Sequence, residues 1–488
     1  MKIKCVTIAN FRGIEKLDAP VDLGALSFFV GDNGTGKTAI LEAINLCLSS
    51  GYVASRLDVN DFHNGSEEII EVVVEFVQPL TVKIPDGFVT QDVACNKVLL
   101  KAKKRDRAAA GKAFSDLVTT TQHFVPVEPR EEKGWSKLRK NGTMFSFDER
   151  QLSVANVDSD LPRVFHFAKN RNRQLSKGFN SSLSSIIDDL NWRFDRGQRK
   201  KVGTEHFKHH RRALHDVVFG ETEGETLKKT IDAANILLAK LGIDPVQFSL
   251  LKTLSPYDNS EIVFAFDGFE LPAAHGGSGV EMLVSLALLE ALAMLSKEKL
   301  IILIDEPELH LHPKLQARLV EHLSDLSASV QIIASTHSPL IFKNVFRNSD
   351  AKLQITKREM GAVKVVDAHS AGFGYLGWSP SWGEICYLAY DLPTAEFHDD
   401  LYGALEDRFR GSPNAKTSQA DFDMWLVSHG YPQDVKWTGA KGEPRAETLM
   451  TYVRNRIHHP ENHFRPAYTE AQLAASIEGM CNLLKKLA

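Results

Sequence analysis

An α/β head, interrupted by an inserted and partly helical region and followed by an all-α C-terminal domain, is the fold class predicted by the sequence. Three observations predict it. The stretch LSFFVGDNGTGKTAILEAINLCL sets an apolar strand, a glycine-rich turn and an apolar-periodic helix in that order. Two further apolar runs, in KLIILIDEPELHLHP and SVQIIASTHSPLIF, read as buried strands far along the chain. Beyond about residue 368 the pattern becomes helical.

The 488 residues allow several domains or one large domain with insertions. Hydrophobic residues at 43% and charged residues at 25% predict a sizeable core. A formal net charge of −4 argues against a protein held to nucleic acid by charge alone, so any such contact must be local. No apolar run is long enough to span a membrane, and MKIKCVTIANFRG lacks the apolar core of a signal peptide. The five cysteines are scattered without a Cys-x-x-Cys pair, which excludes the usual zinc clip and disfavours a disulfide framework. A cytoplasmic, reduced protein without membrane partners is expected.

The glycine-rich turn has a chemical rationale. Gly31, Gly36, Lys37 and Thr38 match G-x-x-x-x-G-K-[ST]. Glycines let backbone N–H groups converge on phosphate oxygens, and the following helix N-terminus adds partial positive charge. Lys37 is placed to reach β/γ-phosphates, and the Thr38 hydroxyl to ligate Mg²⁺. The second strand runs Leu300 to Ile304 and ends in Asp305 and Glu306. Asp305 is expected in the Mg²⁺ shell at the carboxyl end of the strand, and Glu306 to polarise an attacking water. The third run ends in Thr336 and His337, where a histidine can sense a γ-phosphate.

Together these pieces resemble the ABC-type P-loop ATPase heads of the SMC, RecF and OLD group, over about residues 1–80 and 255–345. TIANFRGIEKL is similar to the group's opening strand, with Asn10, Phe11 and Arg12 beside the nucleotide. GGSGVEMLVSLALLEAL resembles a degenerate signature helix, with Ser278, Gly279 and Glu281 in place of the transporter-type motif. EPELHLHP resembles the D-loop region, which makes His310 and His312 interface residues. The resemblance implies ATP and Mg²⁺ as cofactors. It implies a nucleotide site of Arg12, Asn33, Gly34, Gly36, Lys37, Thr38, Ala39, Ser278 and Gly279, with Thr38 and Asp305 on the metal and Glu306 and His337 catalytic. No glutamine stands out as the Q-loop residue, and Asp58 or Asp61 occupies its place. The group's signature helix completes the site of a second subunit, so a homodimer or higher homo-oligomer through ATP-bound heads is implied.

The domain reading is 1–95 and 255–368 for the two lobes of the head, 96–254 for a mostly helical, basic insertion, and 369–488 for the C-terminal domain. The insertion lacks a long heptad array, but SSLSSIIDDLNWRF and ETLKKTIDAANILLAKLG have helical periodicity. Lys200, Lys201, Lys208, Arg211 and Arg212 could contact phosphates or an acidic protein, or simply form a solvated basic surface.

Four or five helices are expected after residue 368: two in WGEICYLAYDLPTAEFHDDLYGALEDRF, one in DFDMWLVSHG, then, after a polar loop, AETLMTYVRNRIHH and TEAQLAASIEGMCNLLKKLA. Thr469 and Gln472 read as a capping box on the last. In the fourth, Asn455 and His459 share one face, Arg454 and His458 another, and Pro460 ends the helix. Arginine beside a histidine suits phosphoryl chemistry on RNA, the histidine moving a proton and the arginine stabilising the charged transition state. Arg454, Asn455 and His459 resemble the R-N-x-x-x-H motif of HEPN ribonucleases, which pair so that two copies build one site. ATPases of the PrrC and RloC type carry such domains in bacterial antiphage systems. His458 competes with His459 for the role, and Glu384 and Glu396 are the candidates for a supporting acid.

Two functions follow from the resemblance. One is an ATP-gated, metal-independent RNase responding to a phage trigger, with RNA or DNA as a partner. The other is an ATPase scaffold that holds a separate nuclease or toxin through the C-terminal domain. A repair role of the RecF kind explains the head but leaves the C-terminal helices idle. No Toprim-like acidic set follows the head, which disfavours a complete OLD nuclease.

Overall fold

The computed structural model describes residues 1–49, 53–104, 118–132, 134–168, 263–266, 269–272, 287, 299–309, 311–359, 362–411 and 418–487. The chain begins with β1 (Ile3–Phe11), β2 (Ile14–Lys16), β3 (Val21–Asp22), β4 (Leu26–Val30) and α1 (Lys37–Cys47). A long hairpin, β5 (Ile70–Asp86) and β6 (Val89–Lys104), leads to β7 (Val118–Pro126), a small hairpin of β8 (Trp135–Leu138) and β9 (Met144–Phe147), then β10 (Asp158–Ser159) and β11 (Arg163–Phe167). A second compact unit, Asn170–Leu295, contains the hairpin of β12 (Val263–Phe266) and β13 (Phe269–Pro272).

The first unit resumes with β14 (Leu300–Asp305), α2 (Pro313–Leu326), β15 (Gln331–Thr336), α3 (Pro339–Phe346), β16 (Ala351–Glu359) and β17 (Ala362–Asp367). Its C-terminal region is α4 (Trp382–Tyr390), α5 (Ala395–Arg410), α6 (Gln419–Ser428), the hairpin of β18 (Val435–Thr438) and β19 (Pro444–Glu447), α7 (Leu449–His458) and α8 (Glu470–Leu487).

Strands buried on both faces read as unbroken apolar runs, and β4, β14 and β15 are buried at every position. They form the middle of a six-stranded sheet, order β11-β14-β15-β4-β16-β17, parallel except for the β16–β17 edge. The register sets Asp305 opposite Ser335 and Thr336 opposite Val30, so three strands finish at one level. A second, antiparallel sheet is built on β2-β1-β5-β6-β7, with β3 and β10 attached.

The helix α1 lies in the core shared by both sheets, where Ile40, Leu41 and Ile44 are fully enclosed with Val72, Val98, Leu100, Ile301, Leu303 and Ile333. Truncating one of these to alanine costs about 2–5 kcal/mol by lost transfer energy and the cavity left behind. The glycine-rich loop is thus mounted on a helix whose inner face is fully enclosed.

The expectation of a mostly helical span from residue 96 is corrected where the structure describes it. Residues 96–104 continue β6, and 118–126, 135–138, 144–147 and 163–167 are strands. The segment RVFHF joins the central sheet by pairing in parallel with β14. Its short apolar run, and the Thr- and Lys-interrupted alternation of β6 and β7, carry too little period-2 signal to stand out. The two predicted insertion helices and the basic cluster from Lys200 to Arg212 lie outside the described residues.

After residue 368 the helices form where expected, with one difference. The polar loop before α7 is the β18–β19 hairpin. Each helix start has a chemical reason: Ser381, Thr394, Ser418 and Thr448 accept from backbone N–H groups of the first turn. Thr469 and Gln472 cap α8 reciprocally, at 3.2 and 2.9 Å. The apolar faces meet in one core, with Phe397, Leu401 and Leu405 of α5 against Val453 of α7 and Ile477 of α8.

Candidate functional site

The loop after β4 is shaped by backbone constraints. Gly31 has φ of 151°, and a Cβ there would stand 2.2 Å from the Thr356 carbonyl oxygen. Gly36, with φ of 94°, is the N-cap of α1. Thr356 of β16 also fixes the loop from the side, its hydroxyl 2.7 Å from that of Thr35 and 3.1 Å from the Val30 carbonyl. Nothing in the motif pattern pointed to Thr356, because it arrives through sheet pairing.

Lys37 is 5% exposed and donates to the carbonyls of Gly31 and Asp32 at 2.8 and 2.7 Å. A buried ammonium held over the loop's own carbonyls is a cation stationed where phosphate oxygens would enter. The Thr38 hydroxyl donates to both oxygens of Asp305, at 3.1 and 2.9 Å. The Ser335 hydroxyl donates to Asp305 as well. A hydroxyl and a carboxylate in contact at a strand end form an oxygen set suited to a hard cation such as Mg²⁺. A cradle that any Cβ at position 31 would fill, with a cation over it, likewise fits a polyphosphate.

Glu306 follows with φ of 51°, a left-handed conformation rare outside glycine, and its N–H donates to the Ser335 carbonyl at 3.1 Å. That turn carries the carboxylate to the His337 ring, whose Nε2 lies 3.4 Å from Glu306 Oε1. The predicted Asp305, Glu306 and His337 are therefore brought together with Thr38.

Asn33, Gly34 and Ala39 sit on the loop and first turn of α1, with Asn33 and Gly34 exposed and Ala39 buried. Arg12 is paired with two carboxylates. Its Nε donates to Asp61 at 2.7 Å and its Nη1 pairs with Glu42 of α1. Of the two Q-loop candidates, Asp61 is buried and locks Arg12, whereas Asp58 caps a short helical turn. Ser278, Gly279, Glu281 and His310 lie outside the described residues. His312 caps α2, its Nδ1 accepting from the Lys314 N–H at 3.3 Å.

Two further groups meet this site. His166 of β11 is near Asp305, its Nδ1 3.3 Å from the Asn45 amide. Burial pushes its pKa down to about 4, against the opposing pull of the Asp305 charge. Glu308 accepts from the Thr336 hydroxyl at 2.8 Å and from the His337 N–H at 2.7 Å. It stands inside EPELHLHP, where the sequence showed a carboxylate but not its partners.

A family model of the AAA ATPase domain matches residues 1–342. The chain belongs to that family. Relatives of this ATPase include the OLD nuclease of Thermus scotoductus, 26% identical over 71% of the chain, a match that spans 60% of that protein. The Septu protein PtuA of Bacillus thuringiensis is 23% identical over 77% of the chain and 81% of its own length. The Retron Vc95 probable ATPase of Vibrio cholerae is 20% identical over 71% of the chain and 72% of its own length.

Arg454 and Asn455 are hydrogen-bonded to one another at 3.2 Å, and the Arg454 guanidinium lies over the Tyr402 ring. Asn455 is buried and also accepts from Gln419 at 2.7 Å. His459 closes α7 as its C-cap, exposed, with Nδ1 3.3 Å from Glu461. Its neighbour His458 points to α5, where Nε2 meets Asp399 at 3.0 Å. The carboxylate that pairs with His458 is Asp399, not Glu384 or Glu396. Glu384 is fully buried and spends its carboxylate on the N–H groups of Gly374, Tyr375 and Ser381, and Glu396 is exposed in the first turn of α5.

Proposed function

We propose that this protein is an ATP-hydrolysing switch of a bacterial antiphage defence system, in which ATP-dependent pairing of heads controls the C-terminal helical domain. The observation that carries the reading is the convergence of Lys37, Thr38, Asp305, Glu306 and His337 at the ends of β4, β14 and β15. Lys37 and the loop amides bind and orient the phosphates, and Thr38 with Asp305 holds Mg²⁺. The ion supplies neutralisation of charge developing on the phosphate oxygens. Glu306 takes up the proton of the attacking water, and His337 keeps that carboxylate aimed. The defence role is supported by the relatives, which are named as an OLD nuclease, a Septu protein and a retron ATPase.

For the output, the favoured reading is a metal-independent RNase. His459 or His458 moves the proton and Arg454 stabilises the anionic transition state, with two copies of α7 aligned by paired heads. A second reading is favoured by the burial of Asn455 and its bond to Gln419, which give the motif a structural task. There the C-terminal domain docks a separate nuclease or toxin. Sequencing of small-RNA ends after phage challenge, in cells carrying wild type, Lys37→Ala, His459→Ala or His458→Ala, separates the two. Cleavage that needs both residues supports the RNase. Protection that survives His459→Ala and His458→Ala but not Lys37→Ala supports the docking role.

A further inference from the structure

His337 owes its place to a residue outside the sequence motif that nominated it. The backbone carrying it is held by a carboxylate from just beyond the end of the neighbouring strand β14: Glu308 Oε1 accepts at once from the Thr336 hydroxyl and the His337 N–H. The Thr336 hydroxyl in turn accepts from the Ser338 N–H at 3.0 Å, and Ser338 is the N-cap of α3. The turn from β15 into α3 is therefore tied to Glu308 by a relay through Thr336, Ser338 and the His337 amide. The ring of that same His337 is the one facing Glu306.

This arrangement demands more than a helix start requires. Ser338 already caps α3, accepting from Ile341 at 3.3 Å, and donates to Gln316 at 2.9 Å. Removal of Glu308 would leave α3 capped. It would release the Thr336 hydroxyl and the His337 amide, the two groups that set the angle at which the His337 ring leaves the sheet. Glu308 does this from a costly place for a carboxylate. Its Oε2 is enclosed and has no hydrogen-bond partner among the described residues, and burial raises its pKa.

We infer that Glu308 is a positioning residue for ATP hydrolysis, holding the Thr336–His337 backbone so that the His337 ring stays against Glu306. The inference rests on the ATPase reading above, and it assigns Glu308 no contact with the nucleotide. Because it acts through His337, its removal slows turnover without weakening ATP binding. Its effect also disappears once His337 is gone.

The test is steady-state ATP hydrolysis by the full chain with Mg²⁺, comparing wild type, Glu308→Ala, Glu308→Gln and Thr336→Val, each also in a His337→Ala background. Glu308→Ala is expected to lower kcat by about 10- to 100-fold, the scale of a misplaced catalytic group, with KM unchanged within about twofold. Glu308→Gln keeps a carbonyl oxygen for both donors and is expected to recover most of the rate. Thr336→Val loses one arm of the relay and gives a smaller fall in kcat, which serves if Glu308→Ala does not fold. In the His337→Ala background none of the three lowers kcat further. Losses that multiply with His337→Ala, an unchanged kcat in Glu308→Ala and Thr336→Val, or a rise in KM that accounts for the loss would each overturn the inference while leaving the ATPase reading standing. A folded wild type without ATP turnover overturns both.

Discussion

Thr38 and Asp305 are 267 positions apart in sequence, yet the threonine hydroxyl donates to both oxygens of the aspartate, at 3.1 and 2.9 Å. This contact joins the helix that follows the phosphate loop to the strand that ends in the acid pair. It exists because β15 lies between β4 and β14 in the sheet and all three run parallel. Substituting Lys37 by Ala, or Asp305 by Asn, is expected to lower ATP turnover by about 100-fold or more, the scale of removing a charged group from a transition-state site. Chelating Mg²⁺ should have the same effect on wild type and none on Asp305→Asn. Turnover in Asp305→Asn within about threefold of wild type would contradict the assignment.

Gly31 and Gly34 both have positive φ but differ in surroundings. A Cβ at Gly31 meets the Thr356 carbonyl at 2.2 Å, whereas one at Gly34 meets nothing within 4 Å. Gly31→Ala must push the loop away from β16 and should abolish nucleotide binding as well as lower stability. Gly34→Ala carries the left-handed conformational cost, about 1–2 kcal/mol, and should keep measurable binding. Equilibrium binding of a fluorescent ATP analogue to both variants checks the contrast.

His166 predicts a pH dependence of stability. Burial pushes its pKa down to about 4, below its ordinary value of 6.5, so the unfolded chain binds the proton more readily than the folded one. The stability held by neutral His166 is complete above about pH 6.5 and is lost as pH falls toward 4, on the order of 3 kcal/mol in all. Burial lowers the pKa of His398 too, which adds loss of the same sign. Urea midpoints between pH 7 and pH 5 should fall more steeply for wild type than for His166→Gln. Parallel curves would show that burial does not lower the pKa of His166.

The legible parts of this molecule were those carried by short, local patterns. The glycine-rich loop and the apolar runs ending in Asp305 and Thr336 announce themselves, because a parallel strand buried on both faces needs no polar alternation. The start of the last helix was visible in Thr469 and Gln472 at capping spacing. Thr356, His166 and Asp399 were not visible, since each reaches its partner through sheet pairing or helix packing. Arg12 illustrates the limit: its motif context suggested a nucleotide contact but not that Asp61 and Glu42, remote in sequence, hold its side chain.

Asp61 should therefore matter more than Asp58, although sequence gave them equal standing. Asp61 is buried, pairs with Arg12 and accepts from the Asp58 N–H at 2.8 Å. Asp61→Ala leaves the Arg12 guanidinium short of a partner and should cost about 1.5–3 kcal/mol, the range of a hydrogen bond to a charged group. Asp58→Ala removes an exposed cap and should cost about 1 kcal/mol. Denaturant midpoints order the two, and equal losses would mean that Arg12 finds Glu42 sufficient.

If α7 carries the proposed RNase chemistry, stability and RNA cleavage should come apart along it. Asn455 is buried and bonded to Arg454 and to the exposed Gln419, so Asn455→Ala loses both hydrogen bonds and should cost about 0.5–1.5 kcal/mol. His459 is exposed and pairs at the surface with Glu461, so His459→Ala should change stability by no more than about 0.5 kcal/mol. Any loss of RNA cleavage in His459→Ala is then chemical, whereas a loss in Asn455→Ala includes unfolding of the helix that presents the motif. His458 requires its own variant because Asp399 orients its ring. If cleavage persists in His459→Ala and fails in both His458→Ala and Asp399→Asn at unchanged stability, the proton-moving group is His458 with Asp399 behind it. If all three cleave normally, α7 carries no RNase chemistry and its Arg454–Asn455–Gln419 chain is there to hold the domain together.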